Sequence, residues 1–335
     1  MAILVTGGAG FIGSHTCVEL LEHGFEVVVA DNYSNSSPAV VGSVQALAGG
    51  RITARNVDLH DGAQIDRVVG EHRVDAVIHF AARKSVPESV RIPAEYYRTN
   101  VTGTVNLVRA MLAHGVRHLV FSSSCSVYGD QYSEQITELA RPVPTNPYAR
   151  SKLICEQILG DVCGAHPDLS VLALRYFNPV GAHPSGSLGE NPAGAPANLM
   201  PRIAQAATGR LERVQVFGTD YPTKDGSAVR DYIHVMDVAE AHRIGLEYTR
   251  DRSGMRVLNI GTGRGVSVLE LIDTFQESCG VLVPYEVMGR RPGDVASLIA
   301  DPSLADQEWG WRPTRQLPTM CRDAWRFEQR TATCA

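Results

Sequence analysis

Tyr148 and Lys152 are the residues whose types and spacing most directly suggest chemistry. They follow Asn146-Pro147, a typical helix start, and a spacing of four places both side chains on one face of that helix. An unperturbed tyrosine has a pKa of ~10, and each unit of lowering requires ~1.4 kcal/mol of preferential stabilisation of the phenolate. A nearby ammonium favours the phenolate. The pair therefore predicts a tyrosine that acts as a general base.

The surrounding sequence decides whether this pair is catalytic, because a tyrosine and a lysine at this spacing more often lie on a solvated helix face. Residues 118–121 predict a buried strand, and three serines follow it, of which Ser124 is the last. The carboxyl ends of parallel strands are where such sheets bind ligands. The serine-ended strand therefore favours a catalytic role for the pair.

The start of the chain predicts a turn that binds a dinucleotide. An apolar strand leads into Gly7, Gly10 and Gly13, which have G-x-x-G-x-x-G spacing. These glycines allow a tight turn and a close approach of pyrophosphate to the backbone, and the following helix N-terminus faces the anion. A second apolar strand ends in Asp31, whose carboxylate can bind an adenosine ribose and would repel a 2′-phosphate. We therefore predict NAD rather than NADP, and oxidised nicotinamide would place a second positive charge near the base.

Strand and helix patterns alternate five times in the first half of the chain, which predicts an α/β fold with a doubly wound, Rossmann-type parallel sheet. Further strands are predicted at 51–57 and 75–80. A long amphipathic helix is predicted at 93–114, and it should pack on the sheet or on a partner subunit. Its apolar positions are Tyr97, Val101, Val105, Val108 and Leu112.

The composition excludes several classes of partner. Lys and Arg number 31 against 36 Asp and Glu, so the net charge of −5 provides no broad basic field for nucleic acid or a membrane. No apolar run approaches the ~20 residues that span a bilayer, and no signal segment is recognised. The seven cysteines form no C-x-x-C motif and no cluster with histidine, so we expect reduced thiols and no metal site. A cytoplasmic protein with a small-molecule ligand is predicted.

Two interleaved domains are expected, because the composition changes after Phe177. Residues 179–196 are dense in Pro, Gly, Ala and Asn, which is typical of a loop over a ligand. A helix at 236–249 and a strand at 257–260 are predicted to return to the main sheet. The expected domains are an NAD-binding domain of 1–177 with 230–262 and a smaller α/β substrate domain of 178–229 with 263–335.

Four blocks of sequence resemble the extended short-chain dehydrogenase/reductase superfamily and, within it, the UDP-galactose 4-epimerases. They are H-F-A-A-R-K-S-V-P-E-S (79–89), F-S-S-S-C-S-V-Y-G (121–129), L-R-Y-F-N-P-V-G-A-H-P-S-G (174–186) and V-R-D-Y-I-H-V-M-D (229–237). The match continues through 289–294 and covers nearly the whole chain. The last two blocks are the more specific to sugar-nucleotide epimerases. Phe11 stands where Tyr is common and Pro87 where Gly is common, and neither departure removes a reacting group.

The resemblance implies that Ser124 and Tyr148 hold a sugar 4-hydroxyl and that Lys152 binds the nicotinamide ribose, which makes these three the predicted catalytic residues. The cofactor contacts expected from the residues and the resemblance are Gly7, Gly10, Phe11, Ile12, Gly13, Asp31, Asn32, Asn35, Ser36, Asp58, Leu59, Phe80, Ala81, Ala82, Lys84, Ser124, Tyr148, Lys152 and Phe177. The expected substrate contacts are Lys84, Ser124, Tyr148, Asn178, Asn198, Leu199, Val216, Phe217, Arg230, Arg291, Asp294 and Leu298. Arginines suit this role because guanidinium is a planar donor for pyrophosphate.

The expected activity is NAD-dependent interconversion of UDP-galactose and UDP-glucose through a 4-keto intermediate. The resemblance also suggests a homodimer through helices around 94–114 and 148–163. At the position of Leu298 the family's pattern has either a bulky tyrosine or a small residue beside the sugar C2. Leucine is intermediate in size, so we expect weaker but measurable activity on the N-acetylated pair.

Two alternatives remain. A nucleotide-sugar 4,6-dehydratase or a UDP-glucuronate decarboxylase resembles this fold, but each places an acidic residue just after the fifth strand, where this chain has Ser124-Cys125-Ser126-Val127. A non-catalytic NAD-sensing regulator on the same fold typically lacks the tyrosine and lysine, which this chain retains.

Overall fold

The computed structural model describes residues 1–130, 135–194, 196–291 and 294–334, without the side chain of Cys334. The chain forms two compact units. The first contains Met1–Gly129, Arg141–Tyr176 and Ala239–Leu258, and the second contains Asp130–Ala140, Phe177–Val238 and Asn259–Ala335. Residues 130–140, 230–238 and 259–262, together with Phe177, were expected in the NAD-binding domain but cluster with the second unit.

The strands of the described residues, in chain order, are β1 (Ala2–Thr6), β2 (Glu26–Asp31), β3 (Ile52–Asn56), β4 (Ala76–His79), β5 (His118–Ser122), β6 (Ser170–Tyr176), β7 (Asn178–Val180), β8 (Val214–Phe217), β9 (Val229–His234), β10 (Gly254–Ile260), β11 (Gly265–Ser267), β12 (Tyr285–Met288) and β13 (Ser297–Leu298).

The helices are α1 (Phe11–Glu22), α2 (Ala39–Ala48), α3 (Gly62–Glu71), α4 (Val86–Arg91), α5 (Pro93–Tyr96), α6 (Gly103–Ala113), α7 (Pro147–Ala165), α8 (Leu199–Ala207), α9 (Val235–Arg250), α10 (Val268–Cys279), α11 (Ser303–Trp309) and α12 (Leu317–Cys334). A π-helical segment (Tyr97–Thr102) joins α5 to α6, and a 3₁₀ turn (Cys125–Tyr128) follows β5.

The first unit is built on a seven-stranded sheet with the order β10-β6-β5-β4-β1-β2-β3. The pairings from β3 to β6 are parallel, with β1 at the centre between β2 and β4. The central strands β1 and β4 are apolar up to their last residues, Thr6 and His79, and almost wholly buried, as expected for a parallel sheet covered by helices on both faces. The predicted doubly wound α/β fold is confirmed, and β10 returns to the sheet beside β6 as expected.

The helix predicted at 93–114 is helical but not uniform, and its most deeply buried face is rotated from the predicted one. Of the predicted apolar positions only Val108 is fully buried, whereas Tyr96, Leu107 and Met111 form the buried face. The π-helical segment has more residues per turn than an α-helix, so it rotates the positions that follow around the helix axis. A pattern based on 3.6 residues per turn therefore missed the centre of the buried face, although Val101 and Leu112 are partly buried and pack against the core.

The second unit contains two smaller sheets. In one, β9 is central: it pairs in parallel with β7 and β13 and antiparallel with β11. In the other, β8 pairs in parallel with β12. The core of this unit includes Met200, Ile203, Leu271, Phe275 and Met320, contributed by α8, α10 and α12. Strand β9 lies in this sheet rather than in the seven-stranded one, which is why 230–238 belongs to the second unit.

Candidate functional site

The glycine turn after β1 forms a cradle of backbone atoms. Gly7 has a φ of +70°, and a Cβ there would lie 2.6 Å from the backbone nitrogen of Ala81. A Cβ at Gly13 would lie 2.3 Å from the carbonyl oxygen of Gly7, so neither position tolerates a side chain. Helix α1 begins after Gly10 with no side-chain cap. Its first amides are therefore left to bind an anion, and the turn fits the pyrophosphate of a dinucleotide.

Asp31 ends β2 and is bonded to the same turn. Its carboxylate accepts hydrogen bonds from the backbone nitrogens of Ala9 at 3.0 Å and Tyr33 at 2.8 Å, and from Ser36 Oγ at 3.2 Å. The residue is only 8% exposed. A carboxylate has about four acceptor positions, so Asp31 retains capacity for ribose hydroxyls while it holds the turn in place. The residues present thus fit NAD.

The other predicted cofactor residues of the first unit lie near the carboxyl ends of the parallel strands. Phe11 and Ile12 open α1, and Asn32 and Asn35 lie in the exposed loop after β2. Asp58 and Leu59 follow β3, where the Asp58 carboxylate lies 2.8 Å from the ring of His60. Phe80, Ala81, Ala82 and Lys84 follow β4, and the Phe80 ring packs on His242 at 4.5 Å between centroids. Phe177 falls in the second unit.

Ser124 and Tyr148 meet beside this edge of the sheet. Ser124 follows β5 and caps the 3₁₀ turn, accepting hydrogen bonds from the Ser126 backbone nitrogen at 3.2 Å and from Ser126 Oγ at 2.9 Å. Tyr148 lies in the first turn of α7, which begins at Pro147 because Asn146 caps it. The Ser124 side chain lies close enough to Tyr148 to act on the pKa of its hydroxyl. The serine and the predicted base are therefore brought together.

Lys152 lies one turn further along α7 and is 4% exposed. Its Nζ donates to the carbonyl oxygen of Ser122 at 2.7 Å and lies 5.0 Å from the centre of the Phe121 ring. Burial lowers the pKa of Lys152 to about 8, against the opposing influence of Cys155 and Glu156. The ammonium is thus held at the end of β5 by a backbone acceptor.

The pKa of Tyr148 differs from the sequence-based expectation. Burial raises it to about 12, although the hydrogen bond from Ser124 favours the phenolate. The described protein groups alone therefore do not lower the pKa, because desolvation outweighs them. Ionisation near neutral pH requires additional positive charge, which an oxidised nicotinamide would carry.

Asn100 is a buried residue of this site that sequence reasoning missed. Its side chain accepts from the Arg83 backbone nitrogen at 2.8 Å and donates to Ser151 Oγ at 2.8 Å, and Ser151 Oγ donates to the carbonyl oxygen of Tyr148. Asn100 therefore connects the loop after β4 to the first turn of α7. It lies in the π-helical segment, and a single asparagine in an apolar helix pattern gives little signal in one sequence.

In the second unit, Phe217, Arg291 and Asp294 form one group of predicted substrate residues. The Arg291 guanidinium lies 4.5 Å from the centre of the Phe217 ring, and its Nε donates to Asp294 at 2.9 Å. The Arg291 side chain is half exposed, at 50%. The neighbouring Pro292 and Gly293 lie outside the described residues. A ligand at this group could contact the aromatic ring of Phe217, the guanidinium of Arg291 and the carboxylate of Asp294.

Arg230 and Leu298 form a second group, because they are register partners on the parallel strands β9 and β13. Arg230 Nη1 donates to the carbonyl oxygens of Val229 at 2.8 Å and Val295 at 2.9 Å. Leu298 is buried, at 9% exposed. Any ligand anion at Arg230 must share its guanidinium with these carbonyls.

The remaining substrate residues of the second unit lie on β7, β8 and at the start of α8. Asn178 opens β7, and its Oδ1 is buried without a hydrogen-bond partner among the described residues. An acceptor left in this state is suited to a ligand donor. Asn198 precedes α8 and donates to Glu190 at 2.7 Å, and Leu199 is the first residue of that helix. Val216, on β8, is buried.

The described residues contain neither a membrane-spanning helix nor a cluster of metal ligands. No helix in this part of the chain is long and apolar enough to cross a membrane. No group of three or more His, Cys, Asp or Glu side chains within the described ranges could hold a metal ion. The six cysteines whose side chains are described are free thiols, and all but Cys279 are buried.

Comparison with known proteins places this geometry in a family. Residues 3–261 match the NAD dependent epimerase/dehydratase family. The chain belongs to that family. It is 53% identical to a UDP-glucose 4-epimerase of Bacillus subtilis over 328 residues, which cover 98% of this chain and 97% of the relative. The resemblance read from the sequence is confirmed.

Solved structures of the family share the fold over its whole length. A UDP-glucose 4-epimerase from Stenotrophomonas maltophila, with bound NAD and formylated UDP-arabinopyranose, superimposes with a TM-score of 0.98 at 49% identity and covers 100% of both chains. The enzyme from Bifidobacterium longum, in complex with NAD+ and UDP, has a TM-score of 0.96 at 46% identity over 99% of each chain. The cofactor expected from the glycine turn and Asp31 is thus the cofactor of the family.

Proposed function

We propose that this chain interconverts UDP-galactose and UDP-glucose by inverting C4, with NAD as its bound cofactor. The observation that carries the proposal is the cluster of Ser124, Tyr148 and Lys152 at the carboxyl edge of a sheet whose first turn cradles a dinucleotide. The family and its full-length relatives support the same activity.

In this proposal Tyr148 removes the proton of the sugar 4-hydroxyl, and Ser124 holds that hydroxyl by a hydrogen bond. Bound NAD supplies a reversible hydride acceptor for C4. Loss of the proton from the 4-hydroxyl and of the hydride from C4 gives a 4-keto sugar. Return of the hydride to the opposite face of C4, and of the proton to the oxygen, gives the epimer without net oxidation. Lys152 binds the nicotinamide ribose and stabilises the phenolate through its positive charge.

The substrate residues of the second unit are proposed to hold the nucleotide part of the ligand. Arg230 and Arg291 suit the two phosphates as charge-assisted donors. The sugar must turn over during the reaction, so firm binding belongs on the uridine diphosphate and loose binding on the hexose. Asn178, with its unpartnered oxygen, is a further proposed contact.

The alternative dehydratase and decarboxylase reactions require an acid after β5. The turn at this position has the sequence Ser124-Cys125-Ser126-Val127 and contains no carboxylate. A regulator that only senses NAD would not require Ser124 and Tyr148 side by side. Epimerisation is the reaction that uses the residues present.

The test is to incubate purified protein with UDP-galactose, without added cofactor, and to analyse the nucleotide sugars. UDP-glucose is expected, because the cofactor is regenerated in each cycle. A 4-keto-6-deoxy sugar or no product would contradict the proposal. Denatured protein should release NAD and essentially no NADP, since Asp31 disfavours a 2′-phosphate. An extract containing mainly NADP would refute the role of Asp31 alone.

We further propose weak activity on the N-acetylated sugar pair, a homodimer formed through helices near 94–114 and 148–163, and a cytoplasmic location. The first rests on the intermediate size of Leu298. Light scattering on the purified protein distinguishes a dimer from a monomer, and fractionation of cells tests the location.

A further inference from the structure

A buried ion pair lies beside the catalytic residues and has no role in the chemistry described above. Arg175, on β6, binds Glu156, on α7, through two hydrogen bonds: Nε to Oε1 at 2.9 Å and Nη2 to Oε2 at 2.5 Å. The side chains of Arg175 and Glu156 are only 6% and 5% exposed. Two parallel bonds of this kind fix both the distance and the orientation of the partners.

This ion pair is attached to both ends of the serine turn, defined here as residues 123–128. At one end, Ser123 Oγ donates to the same Glu156 oxygen that Arg175 Nε binds. At the other end, the Arg175 guanidinium lies 4.9 Å from the centre of the Tyr128 ring, which is fully buried. Ser124 lies between these two attachments. Its position is therefore determined in part by the ion pair.

The pair is also attached to the helix that carries the base. Glu156 lies four residues after Lys152 and eight after Tyr148 on α7, so the three side chains share one face. Lys152 already joins α7 to the end of β5 through the carbonyl oxygen of Ser122. The carboxylate of Glu156 provides a second connection, one helical turn beyond Lys152. It joins α7 to Ser123, the residue directly before Ser124.

Stability alone does not account for a buried pair at this place. Burial of two charges carries a desolvation cost that their attraction often fails to exceed, and apolar side chains of similar volume can replace such pairs without loss of stability. We propose that Glu156 and Arg175 are positioning residues, which hold Ser124 against Tyr148 and Lys152 during transfer of the 4-hydroxyl proton. This inference rests on the proposed epimerase function.

The test removes both charges together. A single substitution would leave an unpaired buried charge and could prevent folding, whereas Glu156→Met with Arg175→Met leaves none. We expect kcat with UDP-galactose to fall by about 10- to 100-fold, because misplacement of a reacting group by about 1 Å costs up to ~10²-fold. The KM, the NAD content and the melting temperature should stay close to those of the unmodified protein.

The matched control is the ion pair of Glu19 and Arg243 in the same unit. Arg243 Nε lies 2.8 Å from Glu19 Oε1, and the side chains are 14% and 11% exposed. Glu19→Met with Arg243→Met should leave kcat unchanged. Arg175→Lys, which retains a cation for Glu156, should keep more activity than the double variant. An unchanged kcat in the Glu156 and Arg175 variant, or an equal fall in the control, would overturn the proposal.

A crystal structure of the double variant gives a readout that does not depend on activity. The distance between the hydroxyls of Ser124 and Tyr148 should increase while β5 and α7 keep their places. An unaltered serine turn would overturn the positioning role even if the protein had no epimerase activity. Absence of activity in the unmodified protein would instead count against the proposed function.

Discussion

The two units present their functional residues in opposite states. In the first unit, Lys152 and Asp31 are buried and bonded, and Ser124 is fixed by its own turn and by Tyr148. In the second unit, Arg291 is half exposed, and Arg230 donates to the backbone carbonyls of Val229 and Val295. The proposed catalytic groups are therefore held in place before any ligand arrives, whereas the two arginines proposed to bind the diphosphate have partners that a ligand must share or replace.

This contrast matches what the two tasks require. Proton transfer needs groups placed to within a fraction of an ångström, since small displacements cost large factors in rate. Binding of a charged diphosphate needs donors that can adjust, and exposed guanidinium groups lose little by exchanging a carbonyl or carboxylate partner. Substitutions in the first unit should therefore change kcat, and substitutions in the second unit should change KM.

The largest effect is expected at the base. Tyr148→Phe should lower kcat by roughly 10² or more, the usual contribution of a positioned general base, while folding and NAD content are preserved. Steady-state kinetics with UDP-galactose measure this. Ser124→Ala should cost less, because it removes one hydrogen bond and leaves the proton acceptor. A larger loss in Ser124→Ala would mean that the two roles must be exchanged.

In the second unit, Arg291→Met should raise the KM for UDP-galactose by about 10- to 100-fold, since a hydrogen bond to a charged group contributes ~1.5–3 kcal/mol. The neighbouring Arg290 is the control: it bonds Asp220 at 2.7 Å and stacks on Tyr221 at 4.2 Å. Arg290→Met should leave the KM unchanged. If both variants altered kcat rather than KM, the contrast between the units would be lost.

Leu298 sharpens the comparison, because its proposed role is in sugar choice rather than in nucleotide binding. Overfilling a packed pocket costs ~1–3 kcal/mol, so Leu298→Tyr should suppress kcat/KM for UDP-N-acetylgalactosamine by about ten- to a hundredfold. The effect on UDP-galactose should be small. If the unmodified protein already rejects N-acetylated sugars as fully as the variant, Leu298 does not control this choice.

The smallest effect is a pH dependence in the first unit. Burial lowers the pKa of Lys152 to about 8, and only the protonated lysine favours the phenolate. Activity that depends on this charge is therefore present below that pKa and declines as the pH rises through it. The kcat measured from neutral to alkaline pH should fall several-fold. A constant kcat well above the pKa would show that the charge of Lys152 is not required.

The sequence predicted those parts of the molecule that depend on local pattern. Gly7 and Gly13 could be read because only glycine fits their backbone, and Tyr148 and Lys152 because four residues separate neighbours on a helix face. Asp31 could be placed at the carboxyl edge of the sheet because it ends the apolar run of β2. The strands of the main sheet were recognisable because buried strands of a parallel sheet appear in the sequence as short apolar runs.

What could not be read depends on contacts that are distant in sequence or on irregular backbone. The π-helical segment before α6 shifted the buried face, and Asn100 lies within it. No residue type is diagnostic of a π-helical turn, so neither feature could be predicted. The pKa of Tyr148 rises because several elements bury its hydroxyl, which helix spacing does not reveal. The role of β9 in the second unit's sheet follows from strand pairing that the V-R-D-Y-I-H-V-M-D block does not encode locally.

The central claim is that C4 loses and regains the same hydride within one site. The direct measurement uses UDP-galactose carrying deuterium at C4, purified protein and no added cofactor, with the isotope in the product determined by mass spectrometry and NMR. The account predicts UDP-glucose with deuterium retained at C4. Loss of the deuterium to solvent, or product formation only after NAD is added in proportion to substrate, would contradict it.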